Sequence, residues 1–249
     1  MLVIRPEQLS VLAFSLGPME QHLIAHFARF FPERHRGCGG DEGLRAVLRH
    51  GAARAGAYKL FRRAAIADFI ATTFYLGCGF AGDPRYPWAA RLLSARGSDI
   101  GRAREVKLTA LSFIERAEGA ENEHLNEALR RLRTSPVEDL LPPPEGRQLD
   151  AYFVERLQFL HPMKCVAIGE APLQQFVARI LEAAAGHGLH DYRHAAVYVA
   201  TAFLLGASFD RDPQFPHFAR ALHDDLGDGQ WKGERLHRVA RAYLEAELV

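Results

Sequence analysis

One stretch of this chain occurs twice: Leu76-Gly77-Cys78-Gly79-Phe80-Ala81-Gly82-Asp83-Pro84-Arg85-Tyr86-Pro87. It returns 129 positions later as Leu205-Gly206-Ala207-Ser208-Phe209-Asp210-Arg211-Asp212-Pro213-Gln214-Phe215-Pro216. The shared pattern is L-G-x-x-F-x-x-D-P-x-x-P. Two copies of so long a pattern indicate a duplicated unit, so the sequence around each copy is expected to repeat as well.

The repeat extends well beyond the motif. Residues 44–93 align with residues 173–222 without a gap, and 16 of the 50 aligned positions are identical. Each copy has the order helix, turn, apolar helix, glycine-containing turn, helix. Two units joined by a long spacer do not make a solenoid. The sequence therefore predicts an all-α fold with two tandem copies of a helical module, about four to five helices each, packed together.

The motif residues have a structural interpretation. The glycine ends one helix, the phenylalanine fills the space between helices, and Asp-Pro is expected to start the next helix as its cap and first residue. A role in presenting the loop to a partner is the alternative. The predicted structural motif residues are Gly77, Phe80, Asp83, Pro84, Pro87, Gly206, Phe209, Asp212, Pro213 and Pro216.

Helical periodicity runs through most of the remaining chain, and no segment has a convincing strand pattern. Pro6 suits a helix start, Gly17-Pro18 should break that helix, and Asp41 is a candidate N-cap. Helices are expected near residues 63–76, 83–93, 101–117, 121–133, 149–160, 172–186, 191–205, 213–226 and 234–247.

The segment 134–147 contains four prolines, three of them consecutive, together with acidic residues. Consecutive prolines exclude helix and favour extended polyproline II structure. We therefore predict an N-terminal helical repeat at 1–133, a Pro-rich linker at 134–147 and a C-terminal helical repeat at 148–249. A long surface loop within one domain is the alternative.

Composition narrows the class of protein. The chain has 249 residues, 48% hydrophobic and 24% charged, as in soluble globular proteins. Its longest apolar runs, 69–81 and 195–209, are too short for a bilayer, and the charged N-terminus does not resemble a signal peptide. The three cysteines are far apart in the sequence, which suggests that their thiols are reduced. The isoelectric point near 7.9 is lower than expected for a protein that binds nucleic acid. We expect a cytoplasmic protein without membrane insertion.

Charge is unevenly distributed along the chain. Residues 1–110 carry 16 basic and 9 acidic side chains, whereas residues 111–249 carry 15 basic and 21 acidic ones. The difference is consistent with attraction between the two modules. It is also consistent with a basic patch that steers an acidic partner.

Few residue groups suggest chemistry. His187, His190 and His194 form the densest histidine group, but it crosses a turn and has no counterpart in the first copy. His22 and His26 share a helix face without the glutamate of a metalloprotease motif. Cys78 is not expected to be reactive, because it follows a helix C-terminus, where the helix dipole opposes a thiolate. Four acidic residues around a helix junction are expected to form a solvated face and not a paired-carboxylate site: Glu115, Glu118, Glu121 and Glu123. No catalytic, cofactor-binding or metal-binding residue is predicted.

Several short patterns in the first 95 residues are familiar: Ile4-Arg5-Pro6-Glu7-Gln8, His22-Leu23-x-x-His26-Phe27-x-x-Phe30-Phe31-Pro32, Gly43-Leu44-Arg45 and the duplicated motif followed by Trp88. Together they resemble uncharacterised bacterial helical proteins encoded near type VI secretion spike and effector genes. The resemblance implies an accessory role, as an immunity protein or as an effector adaptor or chaperone. The second copy matches more loosely.

The leading hypothesis is a non-catalytic protein that binds another protein, such as a secreted effector or toxin, and needs no cofactor. The alternative is a metal-assisted enzyme with a site near the cleft between the copies, using His187, His190 and His194. A structural or assembly component is a third reading.

Overall fold

A computed structural model describes residues 17–223 and 229–247, and within these ranges the chain is helical without any strand. The predicted all-α class is confirmed. The helices are α1 (Gly17–Phe30), α2 (Pro32–Gly37), α3 (Gly40–Ala57), α4 (Arg63–Leu76), α5 (Pro87–Leu93), α6 (Asp99–Glu118), α7 (Glu123–Thr134), α8 (Leu149–Leu160), α9 (Pro162–Ile168), α10 (Glu170–Gly186), α11 (Tyr192–Leu205), α12 (Pro216–His223) and α13 (Gly229–Glu247).

Two apolar helices lie at the centre of the packing. Helix α4 packs against α3 and α6, and helix α11 packs against α8, α10 and α13. Half of the residues in each of these two helices are buried, with Phe69 and Ile70 of α4 and Tyr198 and Phe203 of α11 at most 2% exposed. Helices that are apolar almost all round must be covered on every side, which explains why shorter amphipathic helices surround them.

The two aligned stretches of sequence have matching elements. We refer to residues 44–93 as the first segment and to residues 173–222 as the second segment. Helices α4 and α11 have the same bounds after the shift of 129 positions, and so do two 3₁₀ turns, Phe80–Gly82 and Phe209–Arg211. Helices α5 and α12 begin at equivalent prolines, Pro87 and Pro216.

The structure contains two short helices that the sequence analysis missed, α2 and α9. Both begin at a proline, Pro32 and Pro162, and neither lies among the helices expected from the sequence. Proline is also favoured as the first residue of a helix, where its missing N–H is not required. In α9 the Nδ1 atom of His161 also accepts a hydrogen bond from the backbone N–H of Lys164, at 3.3 Å.

The expected helix start at Asp41 is wrong, and the one at Pro6 lies outside the described residues. Asp41 lies inside the first turn of α3, whose N-cap is Gly39 with a φ of 103°. The helix expected from Pro6 and the end of the one expected at 213–226 fall outside the described residues. The break expected at Gly17-Pro18 is not tested, because these are the first residues that the structure describes, at the start of α1.

The Pro-rich segment 134–147 contains one 3₁₀ turn, Val137–Asp139, and is otherwise irregular. Its carbonyl groups at Leu140 and Leu141 accept hydrogen bonds from the hydroxyls of Tyr192 and Tyr152, at 3.0 and 2.6 Å. These bonds tie the segment to α8 and α11. The domain boundaries at 133 and 148 stay a prediction.

A buried polar cluster joins α6 to α9. The Glu118 carboxylate lies 2.7 Å from Lys164 Nζ and 2.7 Å from His161 Nε2, and all three residues are buried. Glu118 was expected on a solvated face, and that expectation is wrong, although Glu115, Glu121 and Glu123 are exposed. Burial opposes ionisation of Glu118, but the Lys164 charge and the His161 hydrogen bond outweigh it and lower its pKa to about 2.

We expect Glu118→Gln to lower the free energy of unfolding by about 2–3 kcal/mol at pH 7. A depressed carboxyl pKa stabilises the fold above the unfolded-state value and ceases to do so as pH falls toward the folded value. The deficit should therefore shrink between pH 4.5 and pH 2. Urea unfolding across this range measures it, with exposed Glu115→Gln as control. An equal deficit at both ends of the range would contradict the ion-pair role of Glu118.

None of the helices in the described part of the chain has the length and apolar character needed to cross a membrane.

Candidate functional site

The two motif copies meet at a close backbone contact between the turns that follow α4 and α11. A Cβ atom on Gly77 would lie 2.8 Å from the carbonyl oxygen of Leu205 and 3.2 Å from Cα of Gly206. A Cβ atom on Gly206 would lie 3.0 Å from the carbonyl oxygen of Leu76. Both glycines have positive φ, 89° and 121°. Glycine is therefore required at both positions by backbone conformation and by space.

Hydrogen bonds cross this junction in both directions. The backbone N–H of Cys78 donates to Asp212 Oδ2 at 2.6 Å, and the backbone N–H of Ala207 donates to Asp83 Oδ2 at 3.3 Å. Each motif aspartate thus accepts a bond from the turn of the other segment. Both aspartates are buried, and burial raises the pKa of Asp212 despite its hydrogen bonds from Gln214 and Cys78.

The position after Asp-Pro completes the junction. Arg85 forms a buried ion pair with Asp83, 2.6 Å from Nη2 to Oδ2, and donates from Nη1 to the carbonyl oxygen of Phe203 at 2.6 Å. At the equivalent position Gln214 donates to the carbonyl oxygen of Thr73 at 3.1 Å. Each side chain therefore donates a hydrogen bond to a backbone carbonyl near the end of the apolar helix of the other segment, Arg85 to α11 and Gln214 to α4. Although burial opposes its charge, Asp83 raises the pKa of Arg85.

Asp-Pro does not start a helix, contrary to the sequence prediction. The backbone N–H of Tyr86 donates to the carbonyl oxygen of Asp83 at 2.9 Å, and Phe215 donates to Asp212 at the same distance. Each Asp-Pro pair therefore opens a β-turn, with aspartate at the first and proline at the second position, where both are favoured. The helix starts three residues later, at Pro87 or Pro216.

The motif phenylalanines, Phe80 and Phe209, are fully buried. The Phe80 ring lies 5.0 Å from that of Phe69, and the Phe209 ring lies 4.8 Å from that of Tyr198. Phe69 and Tyr198 occupy equivalent positions of the two segments. The same aromatic pairing therefore anchors both turns to the apolar helix before them.

A groove of about 510 Å³ adjoins the junction. Helices α1 and α2 lie on one side and α13 on the other, and its aromatic lining consists of Phe27, Phe74, Phe215 and Tyr243. Arg34 and Arg36 of α2 also line it, together with Glu33, which pairs with Arg36, so the groove combines an apolar wall with charged groups in which basic side chains outnumber the acidic one. Its volume lies in the range of ligand-binding clefts.

The residues considered for chemistry are dispersed. Cys78 is buried, and burial and Asp212 raise the pKa of its thiol, so it is held as the neutral thiol. Cys38 and Cys165 are also free and buried. His22 and His26 lie on exposed positions of α1, where the His26 ring contacts Phe30 at 4.7 Å between ring centroids.

The histidine group His187, His190 and His194 is not brought together as one site. His187 instead lies beside Asp210, 3.1 Å from Nε2 to Oδ2, and near His223. Sequence reasoning missed the last two residues because they follow His187 by 23 and 36 positions. Ala81 and Ser94, which lie 129 positions before Asp210 and His223, offered a signal, since residues that can bind metal stand at these positions only in the second copy.

Comparison of the chain with protein-family models, with curated proteins and with solved structures gives no significant match.

Proposed function

We propose that the chain consists of two tandem copies of one helical module and serves as a non-catalytic, protein-binding accessory protein of a bacterial type VI secretion system. Its role would be that of an immunity protein or of an effector adaptor or chaperone. The reciprocal contacts of the two motif turns support the duplicated architecture. The sequence resemblance in the first 95 residues motivates the secretion context.

The groove between α1, α2 and α13 is the observation that carries the binding proposal. It is open, lined by aromatic side chains from both segments, and about 510 Å³ in volume. Phe30 and Phe31, at the end of α1, are 57% and 47% exposed. Large apolar groups beside an open groove are typical of surfaces that bind another protein.

Chemistry at the rim indicates the kind of partner. Arg34 and Arg36 line the groove, and residues 1–110 carry seven more basic than acidic side chains. An amphipathic helix with apolar anchors and acidic flanking residues would fit such a surface. The partner we propose is a segment of this type in an effector encoded beside this gene.

A substitution on the groove wall tests this proposal. Ala242 is exposed on α13 and lines the groove, so Ala242→Glu should fill it and repel acidic groups without disturbing the core. We expect a purified product of a neighbouring gene to bind the wild type and to bind Ala242→Glu at least about tenfold more weakly in calorimetry. Ala178→Glu, at an exposed position of α10, is the control.

Binding by none of the neighbouring products, or equal binding to both variants, would contradict the proposal. If the partner is a toxin, co-expression separates the two roles. Rescue of growth identifies an immunity protein, whereas export of the partner that depends on this chain identifies an adaptor or chaperone.

A further inference from the structure

Three elements of the second segment bring metal-ligating side chains together. His187 caps the C-terminus of α10, Asp210 lies in the 3₁₀ turn of the motif, and His223 ends α12. One nitrogen of each histidine and one carboxylate oxygen lie within 4.8 Å of one another. His223 is exposed and Asp210 is buried, so the cluster has a buried floor and an open side.

The first copy shows that the fold does not need imidazoles or a carboxylate here. The positions equivalent to His187, Asp210 and His223 are Tyr58, Ala81 and Ser94, with the same partly buried, buried and exposed character. The pair Tyr58–Phe69, at 5.9 Å between ring centroids, corresponds to the pair His187–Tyr198, at 5.6 Å. Where the first copy has a phenol, a phenyl ring, a methyl group and a hydroxyl, the second has two imidazoles, a carboxylate and a phenol.

Asp210 Oδ1 and the Tyr198 hydroxyl are both buried without a hydrogen bond of standard geometry to a described residue, although the hydroxyl interacts with the Asp210 carboxylate. The Asp210 side chain is 5% exposed. Buried polar atoms in proteins are nearly always satisfied. A metal ion bound through Asp210 would give this buried carboxylate an electron-pair acceptor in addition to its contact with His187.

The donor set determines the class of ligand. Two imidazole nitrogens and one carboxylate oxygen suit Zn²⁺ and neighbouring divalent transition metals, whereas Ca²⁺ and Mg²⁺ prefer oxygen ligands alone. Ligand atoms of one zinc ion lie about 3.3–3.5 Å apart, given bonds of about 2.0–2.2 Å in a tetrahedron. His223 Nε2 lies 3.2 Å from the backbone carbonyl oxygen of Asp210, and on metal binding the His223 ring would exchange this contact for the ion.

We propose that His187, Asp210 and His223 bind one divalent transition-metal ion of the zinc type, with a fourth position open to solvent. The Arg211 guanidinium, with Nε 3.6 Å from Asp210 Oδ2, neutralises part of the carboxylate charge when no metal is bound. Its side chain is 71% exposed and free to swing away. This site departs from the sequence-based expectation that the chain has no metal ligands, and it is independent of the proposed protein-binding groove.

Metal titration of the full-length, untagged protein after treatment with a chelator tests the proposal. We expect one Zn²⁺ per chain in calorimetry and a visible Co²⁺ spectrum of tetrahedral type. Zn²⁺ at about 100 times its dissociation constant should raise the thermal midpoint by about 5 °C or more.

The residues of the first copy at the equivalent positions indicate which substitutions the second copy should tolerate. Asp210→Ala and His223→Ser copy Ala81 and Ser94, and each should abolish the Co²⁺ spectrum and the Zn²⁺-dependent rise of the midpoint while circular dichroism stays that of the wild type. His190→Ala, outside the cluster, is the control and should bind as the wild type does. Absence of stoichiometric Zn²⁺ binding, or binding unchanged in Asp210→Ala and His223→Ser, would overturn the proposal.

Discussion

Arg85→Met is expected to lower the free energy of unfolding by about 3–5 kcal/mol, because it leaves the buried carboxylate of Asp83 without its cation. The Arg85 side chain is 1% exposed, pairs with Asp83, and donates to the carbonyl oxygen of Phe203. Its guanidinium also lies 4.4 Å from the ring centroid of Phe176. Methionine replaces the length of the side chain but none of these polar contacts.

Equilibrium urea unfolding measures the effect of Arg85→Met, and Arg85→Gln is the matched variant. Glutamine is the residue at the equivalent position 214, where its amide donates to Thr73 and to Asp212. Arg85→Gln should therefore lower the free energy of unfolding by less than Arg85→Met does, by about 1–2 kcal/mol. Equal losses for the two variants, or a methionine variant as stable as the wild type, would show that Arg85 does not hold the junction.

Gly77→Ala is expected to cost about 3 kcal/mol or more, since it combines two penalties. The backbone of Gly77 has φ 89° and ψ 158°, a region that other residues avoid. Its new methyl group would also lie 2.8 Å from the carbonyl oxygen of Leu205, a backbone atom that cannot rotate away. Gly206→Ala should act in the same way, because its methyl group would press against Leu76.

Gly82→Ala is the control for these two variants. It lies in the same motif, has no positive φ, and a Cβ atom there would meet nothing within 4 Å. Its free energy of unfolding should change by no more than about 0.5 kcal/mol. A loss at Gly82 as large as the loss at Gly77 would mean that the motif is sensitive to any substitution rather than to the close contact.

Much of the helical pattern could be predicted from the sequence, because periodicity and glycine stops act locally. Helix α4 was expected near residues 63–76, and its bounds are Arg63–Leu76. Proline was harder to interpret, since Pro32 and Pro162 end one helix and begin another. Asp83-Pro84 was misread for a related reason: an aspartate before a proline favours both a helix start and a β-turn.

Contacts between distant residues could not be predicted from the sequence. The motif predicted that Gly77 ends a helix, but not that it touches Gly206, because local patterns carry no information about which surfaces meet. The burial of Glu118 was missed because its partner Lys164 is 46 positions away. The cluster at His187 was missed because its other members come from two later elements.

A double-mutant cycle on Gly77→Ala and Gly206→Ala tests most directly the claim that the two motif turns form one shared junction. Either substitution alone pushes apart the same two backbone turns. The second substitution should therefore lower the free energy of unfolding by less when the first is already present. We predict a loss in the double variant smaller than the sum of the single losses by about 1 kcal/mol or more, measured by urea unfolding. Losses that add to within about 0.5 kcal/mol would contradict the shared junction.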